Sequence, residues 1–244
     1  MVIKLLLRHW VAAISIMLGI YTFLPFLAPV LMHIGWSGGG RVIYFIYSWF
    51  CHQLPERSFF LFGSHFTYSL KEIQVAWSQT TNPAILRQFI GNPDMGWKVA
   101  WSDRMVSMFV SLWIFGLLAW PFRSRLKQLP WWGLLLFLLP MAVDGTSHLF
   151  SDLAGIGQGF RDTNQWLAMI TGHVFPASVY AGDGWGSFNS LMRLLTGIMF
   201  GIGIVWYTYP NLGRIFTSPN ESLKVRDNRA QAKRPEYYLY ERKN

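Results

Sequence analysis

Cysteine is almost absent from this sequence, and its scarcity excludes whole classes of chemistry. Cys51 is the single cysteine of the chain, so an intramolecular disulfide is excluded. Multi-cysteine zinc and iron–sulfur sites are excluded for the same reason. Charged residues are also scarce: they make up 14% of the chain, whereas soluble globular domains carry about 25%. The composition is therefore not that of an ordinary soluble domain.

Sequence motifs of common enzyme classes are missing as well. Gly35–Gly39 matches the letters G-x-S-x-G, but it follows a long apolar segment instead of a strand and is therefore not a nucleophile elbow. Gly38–Gly40 is not followed by the Lys-Ser/Thr of a phosphate-binding loop. Cys51 and His52 are neighbours, but adjacency alone does not make a thiolate pair. The net charge of +9 would suit nucleic acid only on the basic face of a folded domain. We therefore expect no nucleic-acid partner.

Long apolar segments are what the sequence has in abundance. Hydrophobic residues make up 52% of the chain and aromatic residues 17%, and a membrane-spanning helix needs about 20 mostly apolar residues. We predict an all-α, multi-pass membrane protein with about four transmembrane helices, at residues 10–34, 105–122, 131–150 and 191–209. Residues 1–210 would form one membrane domain, and residues 211–244 a basic cytoplasmic tail that is disordered or lies on the membrane surface.

Two further segments are expected to lie outside the spans. The apolar segment Val42–Cys51 is too short to cross a bilayer. A second apolar segment, Ser58–Phe62, follows it after a polar turn, and together the two predict a re-entrant or interfacial element. Residues 160–174 predict one outer amphipathic helix. There Phe160–Gly172 faintly resembles Trp185–Gly197, although the match is too short to establish a duplication. The residues on the apolar side of that helix would be Trp166, Leu167, Ile170 and Val174.

The distribution of charge predicts the orientation. If the N-terminus is cytoplasmic, the inner segments hold thirteen of the 21 basic residues and four of the twelve acidic residues. The outer side then holds eight residues of each sign. Basic residues are retained on the cytoplasmic side of membrane proteins, most reliably in short loops such as residues 123–127. We expect a cell-membrane protein with both termini in the cytoplasm.

Asp144 is the most informative polar position. It lies thirteen residues after Trp131, about 20 Å along the predicted third span. A carboxylate at that depth costs at least about 2.5 kcal/mol unless it is paired or protonated. His148 lies one helical turn away on the same face, and Arg193 is the expected ionic partner. A purely structural Asp144–Arg193 pair that joins two helices would explain both charges without any chemistry.

These residues belong to a wider set expected on the outer side. A metal such as zinc could be held by His52, His148 and Asp144, with Cys51 as a further ligand, although their spacing is not diagnostic. The full candidate binding cluster comprises Cys51, His52, Arg57, Asp144, His148, Asn189 and Arg193.

Three strings in the sequence resemble a known family. CHQLPERSF (Cys51–Phe59), PMAVDG (Pro140–Gly145) and the N-x-x-x-R-x-x-T-G of Asn189–Gly197 are similar to those of an uncharacterised prokaryotic integral-membrane family, known as a domain of unknown function. The resemblance implies a further cysteine at the start of the second span, where Cys and His could meet as metal or redox ligands. This chain has Ser102 there, so the resemblance implies the architecture and no activity.

Two functions from different classes remain open at this point. One is a polar binding, redox or metal site on the outer side of the helix bundle. The other is a non-catalytic subunit or assembly factor, which would contact a membrane-protein partner or a second copy of the chain as well as the bilayer. The small-residue pattern of Gly197 and Gly201 permits close helix packing between copies or within one bundle.

Overall fold

The computed structural model describes residues 10–122 and 125–232. Helices dominate this part of the chain, and a small sheet accompanies them. The helices are α1 (Trp10–His33), α2 (Ser37–Tyr47), α3 (Leu70–Ala76), α4 (Pro83–Leu86), α5 (Asp103–Ala119), α6 (Trp131–Asp152), α7 (Phe160–Thr163), α8 (Gln165–Ile170), α9 (Ala177–Tyr180) and α10 (Phe188–Ala232). The strands are β1 (Ser58–Leu61), β2 (Gly91–Asn92) and β3 (Gly96–Ser102), and a 3-10 turn covers Pro55–Arg57.

Four long helices correspond to the four predicted spans. Among the described residues, three segments are long and apolar enough to cross a membrane: Trp10–His33, Trp131–Asp152 and Phe188–Gly213. The fourth long helix, α5, has 17 residues, about 26 Å at 1.5 Å per residue. It ends at Ala119, two residues before Pro121, which has no backbone N–H to continue the helix. The count of four crossings therefore remains a prediction.

The mainly helical fold is confirmed, but the fold is not all-α, because the chain also forms a three-stranded antiparallel sheet in the order β1-β3-β2. Ser58 pairs with Ser102 and Phe60 with Lys98. The aromatic and β-branched residues of GWKVAWS favour a strand, and Val99, Ala100 and Trp101 on it are fully buried. The segment predicted to be re-entrant or interfacial consists of helix α2, a polar turn and strand β1.

Other predicted boundaries also changed. The single outer helix at 160–174 is broken into α7 and α8 by Asn164, which has a φ of 43°, in the left-handed region. Helix α10 does not end before Pro210 but continues to Ala232, since prolines are tolerated within membrane helices. Residues 211–232 of the predicted tail are therefore helical, while residues 1–9, 123–124 and 233–244 lie outside the described part.

Glycines on α10 position it closely against α5. A Cβ added to Gly197 would lie 2.0 Å from Ser107 Oγ, and one added to Gly201 would lie 2.2 Å from Ser111 Oγ. The two serine hydroxyls donate to the backbone carbonyls of Arg193 and Gly197 across the interface. The small-residue face is therefore used for packing within the bundle. This close approach fixes the helix ends from which the polar site is built.

Candidate functional site

Four arginines and four aspartates meet where the outer region joins the helix bundle, and we call them the ion-pair network. Their numbers balance, which satisfies the requirement that buried charges be paired. Arg57, Arg161, Arg193, Asp103, Asp144 and Asp183 are all less than 9% exposed, and Arg104 and Asp152 are 21% exposed in their side chains.

Arg57 connects the loop before β1 to two other parts of the chain. Its Nη1 and Nη2 donate to the two carboxylate oxygens of Asp152 at 2.6 and 2.7 Å. Its Nε donates to Asp183 at 2.8 Å. Such two-pronged guanidinium–carboxylate contacts are strong and directional. Arg57 therefore ties the end of α6 and the loop before α10 to the turn that precedes β1.

Arg193 has different partners from those the sequence suggested. Its Nε donates to both oxygens of Asp103 at 2.9 and 2.8 Å, and its Nη1 donates to Asp183 at 2.6 Å. Asp183 is thus shared between Arg57 and Arg193. Burial opposes ionisation of Asp183, but these two arginines outweigh it and hold the pKa of its carboxyl well below the usual range.

The predicted Asp144–Arg193 pair was therefore wrong. Asp144 accepts from Arg104 Nη2 at 2.6 Å and from Arg161 Nη2 at 2.7 Å. Arg104 begins α5 and Arg161 belongs to α7, so both elements deliver a cation to the carboxylate within α6. His148 Nε2 lies 3.1 Å from the same Arg161 nitrogen. The prediction that Asp144 would be paired was right, but its partners were misidentified.

Asn189 has a structural place beside the network. Its side-chain nitrogen donates to the carbonyls of Arg161 and Gly182 at 2.8 and 3.0 Å, and its oxygen accepts from Asn164 at 3.2 Å. Both asparagines are fully buried. The two residues that the faint internal repeat aligns therefore meet, and together they hold the loop that carries Arg161.

Cys51 and His52 do not join the network through any described hydrogen bond. The buried Cys51 Sγ accepts from the Ser102 backbone nitrogen at 3.4 Å, and the exposed His52 uses Nδ1 to accept from the Leu54 nitrogen at 3.0 Å. Within residues 10–122 and 125–232, no group of three or more His, Cys, Asp or Glu side chains converges on a metal-sized position. His52, His148 and Asp144 therefore do not form the expected ligand set.

The closeness of Cys51 to Ser102 gives a testable prediction. In Ser102→Cys we expect a disulfide with Cys51, since the two positions already lie within sulfur reach and a disulfide needs closely spaced Cβ atoms. Thiol titration of the denatured, oxidised protein should find no free thiol. Ser64→Cys, at an exposed position, is the control and should retain two free thiols. Two titratable thiols in Ser102→Cys would contradict the geometry.

A cavity of about 780 Å³ opens beside the network. Its wall includes Glu56, Lys71, Gln74, Asp162, Asp183 and Trp185. Glu56 is 2% exposed, and neither of its carboxylate oxygens has a hydrogen-bond partner. Glu56 was not among the candidate site residues, because nothing in its local sequence indicates that its carboxylate would be buried without a partner.

The missed members of the network had one signal in the sequence. Arg104, Arg161, Asp103, Asp152 and Asp183 all belong to the outer set in which eight basic and eight acidic residues balance. That equality is what a closed network of ion pairs requires. It does not identify the pairs, because any arginine can meet any aspartate that the fold brings near.

Comparisons with known proteins agree with a membrane assignment. A family model described as "Predicted membrane protein (DUF2085)" matches residues 94–181. An uncharacterized protein of Methanocaldococcus jannaschii is 27% identical over 157 residues, which cover 61% of this chain and 74% of the relative. No solved structure matches the chain. These similarities support an uncharacterised membrane family, while the region matched by the family model does not include the CHQLPERSF string.

Proposed function

We propose that this chain is a four-span protein of the cell membrane that binds a small organic molecule carrying an ammonium group on its extracytoplasmic side. The observation that carries the proposal is Glu56, which lines the 780 Å³ cavity and whose two buried carboxylate oxygens have no hydrogen-bond partner from another residue. A buried polar group without a partner costs about 1–3 kcal/mol. A ligand that donates hydrogen bonds to Glu56 would remove that cost.

Three carboxylates and one cation, the exposed Lys71, line the cavity, so its charges favour a cationic ligand over an anionic one. Asp183 is already neutralised by Arg57 and Arg193, and Asp162 accepts from the Gly159 backbone nitrogen at 2.7 Å. Glu56 is the carboxylate that remains without a hydrogen bond among those described on the cavity wall. Trp185, 58% exposed at the rim, offers an aromatic face that attracts organic cations.

The topology in this proposal follows from the charge distribution and the helices together. Both termini lie on the same side if α1, α5, α6 and α10 each cross the membrane. Residues 120–130 then form the short inner loop, and the ion-pair network lies at the outer ends of the helices. The alternative role, as a non-catalytic subunit or assembly factor, stays a prediction; the Gly197/Gly201 face does not favour it, because α5 occupies that face.

Binding is expected to depend on pH through Glu56. Burial raises the pKa of Glu56 from 4.5 to about 7. Asp183 adds to that rise, whereas Arg57, the backbone N–H of Glu56 itself and Lys98 oppose it. Butylamine remains charged in this range, as a lysine side chain does. Its affinity should therefore rise between pH 6 and pH 8, with a loss of up to about tenfold per pH unit below the pKa. Isothermal titration of the purified full chain would measure this.

Matched probes and variants separate the site from general amine binding. Glu56→Gln should weaken butylamine binding at least about tenfold and remove its pH dependence, whereas the exposed Asp94→Asn should change neither. Butanol, which lacks the charge, should not bind measurably. Equal butylamine affinity in the wild type and in Glu56→Gln would overturn the proposal.

Glu56 also affects stability without any ligand. Its pKa is higher in the folded state than the ordinary value of 4.5, so the unfolded state binds fewer protons between pH 4.5 and about 7. Stability should accordingly fall as pH rises through that window. Glu56→Gln should lose this part of the pH dependence, which a thermal unfolding series would show.

A further inference from the structure

An apolar groove of about 440 Å³ runs between α5 and α10. Six of its lining residues are Phe59, Val106, Val110, Ile114, Leu194 and Ile198. From Asp103 to Phe115 it follows α5 for twelve residues, about 18 Å. The groove thus extends from the ion-pair network well into the part of the bundle that the bilayer surrounds.

Polar groups are few in this groove, and most are already engaged. Both oxygens of Asp103 accept from Arg193. The hydroxyls of Ser107 and Ser111 have used their protons on backbone carbonyls and can only accept. An ordered water needs two to four partners, which few places along the groove offer. A hydrocarbon chain needs none.

The groove and the polar cavity meet at Trp185, which lines both. They are also joined through Arg193, which binds Asp103 in the groove and Asp183 in the cavity. A ligand that fills both spaces must therefore carry a polar head and an apolar chain. Trp is well suited to that junction, because it settles where hydrocarbon meets the polar boundary.

We infer that the natural ligand is a single-chain amphiphile, with its ammonium head beside Glu56 and its hydrocarbon chain between α5 and α10. This inference rests on the proposed function and names the ligand class of the same site. The bilayer supplies such chains directly, so the chain would enter sideways between the two helices. The head would then reach the cavity past Trp185.

A series of alkylamines tests the chain independently of the head. Each buried methylene contributes about 0.8 kcal/mol, so decylamine should bind the full chain at least about 100-fold more tightly than butylamine. Val110→Trp, which fills the groove, should abolish that gain and leave butylamine binding unchanged. Leu118→Trp is the matched control, because Leu118 is 59% exposed on the same helix and is not among the groove residues.

The outcomes distinguish this inference from the proposal beneath it. If the affinity of decylamine relative to butylamine rises by the same factor in the wild type and in Val110→Trp, the hydrocarbon chain binds outside the groove. That result overturns this inference but leaves the Glu56 site intact. If decanol binds as tightly as decylamine, the head does not use Glu56 and the amphiphile is again excluded. Should Val110→Trp fail to fold, Ile114→Phe adds bulk in the groove at a position that is 42% exposed. It should reduce the advantage of decylamine over butylamine in affinity at least about tenfold.

Discussion

Replacing Arg193 with leucine is expected to lower the free energy of unfolding by about 3–5 kcal/mol, the usual loss when one partner of a buried ion pair is removed. Asp103 would retain only the hydrogen bond from the Arg104 backbone nitrogen, and Asp183 would retain only Arg57 among its side-chain partners. Denaturant titration of the purified protein in mixed micelles, followed by tryptophan fluorescence, would measure the loss.

Two further variants separate charge from geometry at this position. Arg193→Lys keeps the charge but cannot make the forked contacts to two aspartates, so it should recover less than half of the lost stability. Arg41→Leu removes an exposed arginine on the outer side and should change the free energy of unfolding by less than about 0.5 kcal/mol. Comparable losses in Arg193→Leu and Arg41→Leu would show that the network does not hold the fold.

Replacing Asp144 with alanine is also expected to lower the free energy of unfolding by about 3–5 kcal/mol, because it leaves Arg104 and Arg161 without their shared carboxylate. A double-mutant cycle then identifies the partner. Asp144 and Arg161, which are in contact, should show a coupling energy of about 1–3 kcal/mol. Asp144 and Arg193, which have separate partners, should be additive to within about 0.5 kcal/mol. Unfolding titrations of the single and double variants provide the values.

The reverse result would restore the simpler interpretation of the sequence. If Asp144 coupled more strongly to Arg193 than to Arg161, the pair that joins two helices would be the correct description. The contacts to Arg104 and Arg161 would then have to be abandoned. His148→Ala serves as a further control, since the ring contacts Arg161 and lies 4.0 Å from Asp144. It should lower the free energy of unfolding by less than Asp144→Ala does.

Residues with a strong local signal were the ones that sequence reasoning placed well. Asp144 could be singled out because a carboxylate deep in an apolar segment is costly whatever surrounds it. Arg57 was selected for its place in the CHQLPERSF string. Glu56, its neighbour, was not selected, because nothing local says that Arg57 turns away to Asp152 and Asp183 and leaves the glutamate unpaired.

The sheet was missed for a related reason. The strand GWKVAWS is buried on both faces except at Trp97, so it lacks the alternation by which a half-buried strand is recognised. It also leads directly into α5, where its apolar residues resemble the beginning of a span. Only its pairing with Ser58–Leu61, some forty residues earlier in the chain, distinguishes it from a helix.

By itself, the sequence determined the long apolar helices and marked Asp144 as a charge within one of them, while the sidedness of the charge stays a prediction. The first two follow from composition within a short window, because the bilayer acts on every segment separately. The tertiary structure alone decided which arginine meets which aspartate, that Glu56 lies on the wall of a cavity, and that an apolar groove shares Trp185 with that cavity. Those facts depend on distances between residues as far apart as Asp103 and Arg193, and a guanidinium selects its carboxylate by position rather than by sequence.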